Sequence, residues 1–470
     1  MLSSGTLLTA PAADPIKGKM FFRFGTARLP NSAGRASGAE IVPKPHLRIV
    51  GFPSDRNRSI RGTDDDDAGR AQEVEEENMT DMQLRNPRNP GAQLIPRVGW
   101  DRSPWSRWTF QHVREMTATA PIWRGPDPVR PLPESLQPLG DIVVNFPGGE
   151  RSVDDFLERN FANGFLVLHR GRIVFERYLN NLAPHNQHLL MSATKSLVGT
   201  LTGILVNKGL LDVKRPVTHY LPELAVTAYR GATVQHLLDM SSGVFYDETL
   251  TEGSHMQKAL FAGWYHQRVP GWPRTYWELI LSLDKVERPH GTLFNYRSIE
   301  TDVLGFVLER VSGLSQADLI SQEIWAPMGA EEDAYIVLDD AGFAISGGGL
   351  CATLRDLGRF AQLLVEGGAW GGRQILPNNW IEEIRSGGLK LQDGGRQLLP
   401  NGAYHNQWWI EDTHRRTIWA RGHGGQTLYI DPDAEFAAIK LSTFPDDDNN
   451  NQRWIDDRAA LLTIRDALSQ

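Results

Sequence analysis

The sequence predicts an α/β fold of the α+β kind, in which one antiparallel sheet takes strands from both ends of a domain and helices fill the middle. Runs rich in β-branched and aromatic residues, separated by turns, occur at 165–178 and again at 407–441. Between them, apolar residues recur at helical spacing. Because strands flank the helices on both sides, we expect one compact unit instead of the three serial domains that 470 residues would suggest.

The elements follow in order along the chain. A hairpin is predicted from strands at 165–168 and 173–178, with its turn at Arg170 and Gly171. A helix begins at Ser192 and ends at Gly209, because apolar residues recur between them at a spacing of 3.6. The remaining predicted segments are helices at 234–240, 277–283, 299–311, 354–366 and 379–385, strands at 407–411, 417–420, 427–430 and 436–441, and a last helix at 459–468.

The first part of the chain differs from the rest in composition and in the pattern of its apolar residues. It is rich in proline, has few periodic apolar positions and carries two acidic runs, at 64–67 and 73–77. Such a segment cannot bury enough apolar surface to offset its ordering entropy. We therefore expect residues 1–95 to be a disordered extension and residues 96–470 to be the folded domain, with the proline-rich stretch 121–133 lying on it as an extended arm.

Composition excludes several classes of protein. The net charge is 49 − 57 = −8, which disfavours a nucleic-acid partner. One cysteine, Cys351, excludes a disulfide scaffold, and no run approaches the roughly 18 apolar residues of a membrane span. The N-terminus shows no secretory signal, so we expect a cytoplasmic protein. His185 and His188 lack partners at metal-ligand spacing, so we read them as surface histidines and expect no metal.

The motif with the clearest chemistry is Ser-x-x-Lys, formed by Ser192 and Lys195. Residues three apart share a helical face, so the lysine amine can reach the serine hydroxyl. The helix N-terminus also favours an anion there. A serine becomes a good nucleophile only when a base takes its proton. The alternative is an N-cap serine beside a solvated lysine.

Two further segments support a catalytic interpretation. Tyr296 and Ser298 begin a helix after Gly291, where a phenol beside a lysine could shuttle a proton; the alternative is a core tyrosine. Residues 420–426 are rich in glycine and include His423. Small residues there would let substrate lie along a strand and leave a backbone N–H facing an oxyanion, whereas the alternative is an ordinary turn.

These three segments, in this order, resemble the serine β-lactamase and penicillin-recognising superfamily, and within it class C β-lactamases, family VIII carboxylesterases and the 6-aminohexanoate-dimer hydrolases. Residues 188–197 resemble the family's nucleophile segment almost residue for residue, and 302–304, 347–348, 407–409 and 440–442 are also similar. The resemblance extends from about Trp100 to the C-terminus.

The resemblance implies a β-lactamase/transpeptidase-like fold and roles for individual residues. Ser192 would be the nucleophile, and Lys195 and Tyr296 would move its proton to the leaving group. The Ser192 N–H would be one oxyanion donor. The second is the N–H of His423 or, in another alignment, of Gln426; we prefer His423. The positions that the resemblance assigns to substrate binding are Tyr246, Ser298, Ser346 and Trp409.

The departures from the family limit the substrate. The tyrosine with which oligomer hydrolases grip the amide falls on Leu250, their acidic residue for the amino end falls near Ala259, and the β-lactamase Lys-Thr-Gly lysine is missing. We therefore expect a cofactor-free serine hydrolase of small esters or linear amides, with a homodimer possible. The alternatives are an esterase without amidase activity, a D,D-peptidase or β-lactamase, and a non-catalytic binding descendant.

Overall fold

The computed structural model describes residues 95–392, 398–447 and 449–469. The predicted extension, with both acidic runs, lies outside the described residues apart from Ile95, so that interpretation stays a prediction. Within the described ranges, no helix is both long enough and apolar enough to cross a membrane.

The main layer is an eight-stranded antiparallel sheet with the order β11-β12-β13-β14-β15-β16-β4-β5. The strands of the described residues, numbered along the chain, are β1 (Thr119–Ile122), β2 (Val143–Phe146), β3 (Gly149–Ser152), β4 (Ala162–His169), β5 (Arg172–Tyr178), β6 (His188–Leu189), β7 (Ala334–Val337), β8 (Leu350–Ala352), β9 (Ala369–Trp370), β10 (Arg373–Gln374), β11 (Leu389–Lys390), β12 (Ala403–His405), β13 (Trp408–Asp412), β14 (Thr417–Gly422), β15 (Gln426–Asp431) and β16 (Phe436–Ser442). Strand β16 pairs with β4 over its whole length. The prediction that both ends supply one sheet is confirmed.

Helices cover both faces of this sheet. The α-helices of the described residues are α1 (Ser106–Thr109), α2 (Val153–Arg159), α3 (Thr194–Asn207), α4 (Val217–Tyr220), α5 (Val234–Leu238), α6 (His255–Ala259), α7 (Tyr276–Leu281), α8 (Ser298–Ser312), α9 (Gln316–Ile320), α10 (Leu354–Val365), α11 (Asn378–Arg385) and α12 (Asn450–Leu468). Alternate residues of each strand point to opposite faces. Leu166 and Ile439 therefore join the core beneath α3 and α10, whereas Phe165 and Ala438 join the core beneath α2 and α12.

The middle of the domain is not purely helical. A second antiparallel sheet, β1-β7-β8-β6, lies there, and the sequence pattern did not predict it. Strands of two to four residues are too short for a period of two to stand out. The proline-rich stretch begins inside this sheet, where Pro121 lies on the edge strand β1 opposite Tyr335.

His188 is buried, so its interpretation as a surface histidine is wrong, whereas His185 is exposed as expected. The His188 ring donates from Nδ1 to the Leu189 carbonyl and accepts at Nε2 from Asn163. Burial, the largest cause, lowers the pKa of His188 to about 3. The side chain is therefore a neutral part of the core, tied to strand β4.

Candidate active site

Ser192 lies in a short 3-10 turn, Met191–Ala193, between strand β6 and helix α3. The turn is anchored to strand β8, because the Leu190 N–H donates to the Leu350 carbonyl at 2.9 Å. Met191 has a φ of +47°, in the left-handed region that costs a residue with a side chain of order 1 kcal/mol or more. The surrounding sheet thus fixes a strained turn that leaves Ser192 half-exposed at the start of the helix.

Lys195 lies one turn into α3 with only 1% of its surface exposed. Its amine donates to Ser192 Oγ at 2.9 Å, to Ser298 Oγ at 3.3 Å and to the Gly347 carbonyl. A lysine ammonium has three hydrogens, and these three oxygens accept all of them. The Ser192–Lys195 contact predicted from helical spacing is therefore present, and the lysine is not a solvated surface residue.

A carboxylate that the sequence analysis did not single out completes this network. Glu248 accepts hydrogen bonds from the backbone N–H of Ser298, at 3.0 Å, and from its hydroxyl. Burial raises the pKa of Glu248, while the Ser298 hydrogen bonds and the charge of Lys195 act against that rise. Glu248 lies in a loop fifty residues before Ser298, so no periodic pattern could have revealed it.

A second buried carboxylate anchors another of the acceptors of Lys195. Asp302, on α8, accepts from the N–H of Gly347, the residue whose carbonyl receives the Lys195 amine. Burial raises the pKa of Asp302 to about 7, with the Gly347 hydrogen bond and the Lys195 charge lowering it in part. The carbonyl that orients Lys195 is thus anchored to helix α8.

Tyr296 forms one wall of the site. The Lys195 amine lies 5.1 Å from the centre of its ring, and Trp409 stacks on the ring at 5.8 Å between centroids. Both aromatic residues are half-buried. The structure therefore places Tyr296 and Ser298 beside Lys195, with Trp409 stacked on Tyr296.

The glycine-rich segment packs directly against the nucleophile turn. A Cβ at Gly422 would stand 2.1 Å from the Leu190 carbonyl oxygen and 3.0 Å from the Ala193 nitrogen. On the β13 side, the pairing of β14 ends at Trp419, so Gly422 pairs with β15 alone. Glycine is needed at position 422 because a side chain would prevent β14 from approaching the nucleophile turn so closely. Beyond Trp419, the edge of β14 next to Ser192 is not paired with β13.

The two candidates for the second oxyanion donor differ in their surroundings. Within the described residues, the N–H of His423 has no hydrogen-bond acceptor, and the same holds for the N–H of Ser192. The His423 ring points away, toward Asp446. Gln426 is fully buried in β15, and its side-chain amide bridges to Ser442.

Two other residues assigned to substrate binding do not open into this cleft. Ser346 is 1% exposed and its hydroxyl donates to Gln316. Tyr246 is 7% exposed and stacks on His255, and burial raises the pKa of its phenol well above the usual range. In this structure both side chains belong to the interior around the site.

Comparisons with known proteins agree with this geometry. Residues 151–462 match the family described as Beta-lactamase. The chain is 34% identical over 359 residues to a 6-aminohexanoate-dimer hydrolase of Paenarthrobacter ureafaciens, a match that covers 75% of this chain and 89% of that protein.

Solved structures of other hydrolases share the fold of this chain. A putative 6-aminohexanoate-dimer hydrolase from Bacillus anthracis superposes with a TM-score of 0.70 at 30% identity, covering 78% of this chain and 97% of that one. EstCE1, a hydrolase with promiscuous acyltransferase activity, has a TM-score of 0.52 at 17% identity and covers 66% of this chain and 94% of its own. The latter similarity concerns the fold alone.

Proposed function

This chain belongs to the beta-lactamase family, and we propose that it cleaves small esters and linear amides through an acyl-enzyme formed on Ser192. The resemblance inferred from the sequence is confirmed, and the chain is a serine hydrolase. The observation that carries the proposal for Ser192 is its 2.9 Å contact with the buried amine of Lys195.

The hydrogen bonds of Lys195 suit both protonation states of its amine. In the ammonium form, three hydrogens meet three oxygens. In the neutral form, two N–H groups can still donate to Gly347 and Ser298, while the lone pair accepts the hydroxyl hydrogen of Ser192. The amine can therefore take that proton without any rearrangement of its neighbours.

Acylation then follows from the positions of the groups. Ser192 Oγ attacks the substrate carbonyl carbon, and the negative charge develops on the carbonyl oxygen. The N–H groups of Ser192 and His423, which lack acceptors among the described residues, supply the oxyanion site in this proposal. The second donor stays a proposal, with the N–H of Gln426 the less favoured choice because that residue is fully buried within β15.

Tyr296 acts on the leaving group. The serine proton passes by way of Lys195 and the phenol of Tyr296, whose ring lies against the amine, to the departing oxygen or nitrogen. Water then attacks the acyl carbon, its proton returns along the same path, and the acid leaves with Ser192 regenerated. Every step uses groups of this chain and water.

The substrate class stays broad in this proposal. The name of the Paenarthrobacter relative indicates a linear amide, but Leu250 occupies the position of the family's amide-gripping tyrosine. We therefore propose that the protein prefers esters but also cleaves amides. The alternative is an esterase without amidase activity. A homodimer and a cytoplasmic location remain predictions.

The test replaces Ser192 with alanine. Because a nucleophile and its base act as one unit, the Ser192→Ala substitution should lower kcat on p-nitrophenyl acetate by about four to six orders of magnitude. A matched substitution at an exposed serine, Ser282→Ala, should leave the rate unchanged. Full activity in the Ser192→Ala protein, or a fluorophosphonate adduct mapped by mass spectrometry to another residue, would overturn the proposal.

A further inference from the structure

Arg297 is a buried cation between two residues of the candidate active site. It separates Tyr296 from Ser298 in the chain, and only 1% of its side chain is exposed. Its φ of −145° and ψ of +115° are those of extended backbone, in which successive side chains point to opposite sides. Because its two neighbours face Lys195, the guanidinium of Arg297 lies in the interior behind them.

The guanidinium fixes the backbone on the other side of Tyr296. Its Nη1 atom donates to the carbonyl of Asn295 at 3.1 Å, so the hydrogen bond spans Tyr296. Asn295 is itself held twice, because its N–H donates to the Met240 carbonyl at 2.8 Å and its side-chain amide donates to Glu287 at 3.0 Å. The short segment that carries Tyr296 is therefore closed on itself and tied to two other parts of the chain.

Two carboxylates set the position of this guanidinium. Its Nη2 atom donates to Glu287, and its Nη1 atom lies 3.6 Å from Oε1 of Glu300. Glu300 is fully buried and accepts a hydrogen bond from the Ser242 hydroxyl at 2.5 Å. Burial raises the pKa of Glu300 to about 8, and the charge of Arg297 acts against this rise. A buried charge depends on such partners, because removing one of them leaves the other uncompensated.

The same positive charge also acts on the Ser298 side of the segment. Glu248 accepts hydrogen bonds from the N–H and the hydroxyl of Ser298. Burial raises the pKa of Glu248, and the charge of Arg297 is one of the effects that act against this rise. Arg297 therefore favours the ionised form of the carboxylate that binds Ser298.

We infer that Arg297 is a positioning residue of the reaction, whose buried ion pairs hold the phenol of Tyr296 where it can deliver a proton to the leaving group. This inference rests on the proposed function. The guanidinium faces away from the cleft, so Arg297 acts through Tyr296 and not on the substrate. Since a displacement of about 1 Å can cost a hundredfold in rate, a small movement of this segment should be visible in the kinetics.

The test compares kcat/KM on p-nitrophenyl acetate with kcat/KM on phenyl acetate. Both esters transfer the same acetyl group to Ser192, but phenolate is the stronger base and depends more on a proton from Tyr296 as it leaves. In Arg297→Met, we expect kcat/KM to fall about a hundredfold on phenyl acetate and about tenfold on p-nitrophenyl acetate, so their ratio should rise about tenfold. Arg297→Lys, which keeps the charge but loses the planar fork, should recover part of the native ratio.

A double-mutant cycle shows whether Arg297 acts through Tyr296. Tyr296→Phe alone should raise the ratio of the two kcat/KM values, because it removes the proton donor. In a protein that already carries Tyr296→Phe, adding Arg297→Met should raise the ratio no further, since the two side chains act as one unit. Additive effects of the two substitutions on this ratio would overturn the inference.

Arg359, on α10, supplies the matched control. It is 3% exposed and forms ion pairs with Asp356 at 2.9 Å and with Glu331 at 2.8 Å. Arg359→Met should lower the unfolding midpoint as Arg297→Met does, but it should leave the ratio of the two esters unchanged. Equal losses on both esters in Arg297→Met would assign a purely structural role to Arg297 and overturn the inference.

A milder variant decides the question if Arg297→Met does not fold. Glu287→Gln weakens the same ion pair at a side chain that is 24% exposed, and it should raise the ratio about threefold in a folded protein. If both esters are hydrolysed through Ser192 but the ratio stays native in these variants, this inference fails and the proposed function stands. If the Ser192→Ala protein keeps full activity, the proposed function fails, and this inference fails with it.

Discussion

Lys195 joins parts of the chain that are far apart in sequence. Its amine contacts Ser192 three residues away, Ser298 more than a hundred residues away and Gly347 farther still. Two carboxylates bind these acceptors in turn: Glu248 accepts from Ser298, and Asp302 accepts from the N–H of Gly347. At the scale of single residues, the site is therefore a lysine whose three acceptors are each held in place by the fold.

Glu248 is expected to be a positioning residue that acts through Ser298. In Glu248→Gln, the amide offers one acceptor where the carboxylate offers two, and its N–H₂ group would face the donors of Ser298. We expect kcat on p-nitrophenyl acetate to fall about tenfold to a hundredfold, with KM and the unfolding midpoint nearly unchanged. The neighbouring Asp247 caps a local turn through Thr249, and Asp247→Asn should change kcat less than about twofold. An unaltered kcat in Glu248→Gln would contradict this role.

His188 should make the protein less stable in acid. Its pKa is about 3 in the folded state and about 6.5 in the unfolded chain. The unfolded state therefore binds more protons between these values, so the stabilisation is complete above about pH 6.5 and is lost as the pH falls toward 3. From about pH 6.5 to about pH 4.5, two pH units, this one group can remove at most about 2.7 kcal/mol of unfolding free energy.

Chemical denaturation at several pH values checks this expectation. His188→Gln lowers stability at all pH values but should show a shallower decline in acid than the native protein. His185→Gln, which removes the exposed histidine three residues away, should keep the native slope. A native slope in His188→Gln would show that this side chain does not titrate as described.

At the scale of elements, the site depends on the contact between the nucleophile turn and the end of strand β14. The turn Met191–Ala193 is backed by β8 through Leu350, and Gly422 meets it from the main sheet. The two sheets of the domain therefore approach each other at Ser192. The left-handed φ of Met191 is maintained because both neighbours are fixed.

Gly422→Ala should damage catalysis more than folding. The new Cβ would overlap the Leu190 carbonyl, so the nucleophile turn must move by a sizeable fraction of an ångström. Since misplacement of about 1 Å can cost a hundredfold in rate, we expect kcat/KM to fall about a hundredfold while the protein remains folded. Gly148→Ala is the control, because its Cβ would meet only the flexible end of Arg151. Native activity in Gly422→Ala would show that the turn is not fixed by this contact.

At the scale of the whole molecule, strands β4 and β5 from one end of the domain pair beside β16 from the other. The C-terminal helix α12 then covers the same face as α2, with Leu461 and Phe156 in one core. Both cores, and the contacts of the candidate site given above, are formed by described residues. The unit that begins at Ile95 should be sufficient for folding and activity.

A chain that begins at Ile95 tests this expectation. We expect its kcat/KM on p-nitrophenyl acetate to lie within about twofold of the full-length value and its unfolding free energy to change by less than about 1 kcal/mol, as for other changes outside the core. Rate measurements and chemical denaturation of the two proteins in parallel provide the check. A large loss of either quantity would assign a role to residues 1–94.

Much of the fold could be predicted because its signals are local. The hairpin of β4 and β5 and the helices α3 and α8 follow from residues close in sequence, whose periodicity reports which face is buried. The short strands β6, β7 and β8 gave no such signal, and their pairing is a property of distant segments. The burial of His188 could not be predicted for the same reason, since nothing beside it in sequence indicates the strand that buries it.

The sequence by itself determined the contact of Ser192 with Lys195, because helix geometry places residues three apart on one face. It also showed that the segments carrying Tyr296 and His423 follow Ser192 in an order that resembles the family's. Only the tertiary structure decided that Glu248 holds Ser298, that Ser346 points into the interior and that Trp409 stacks on Tyr296. These facts depend on loops and strand ends brought together over thirty or more residues, where the packing of the whole domain, and no local spacing, sets the distances.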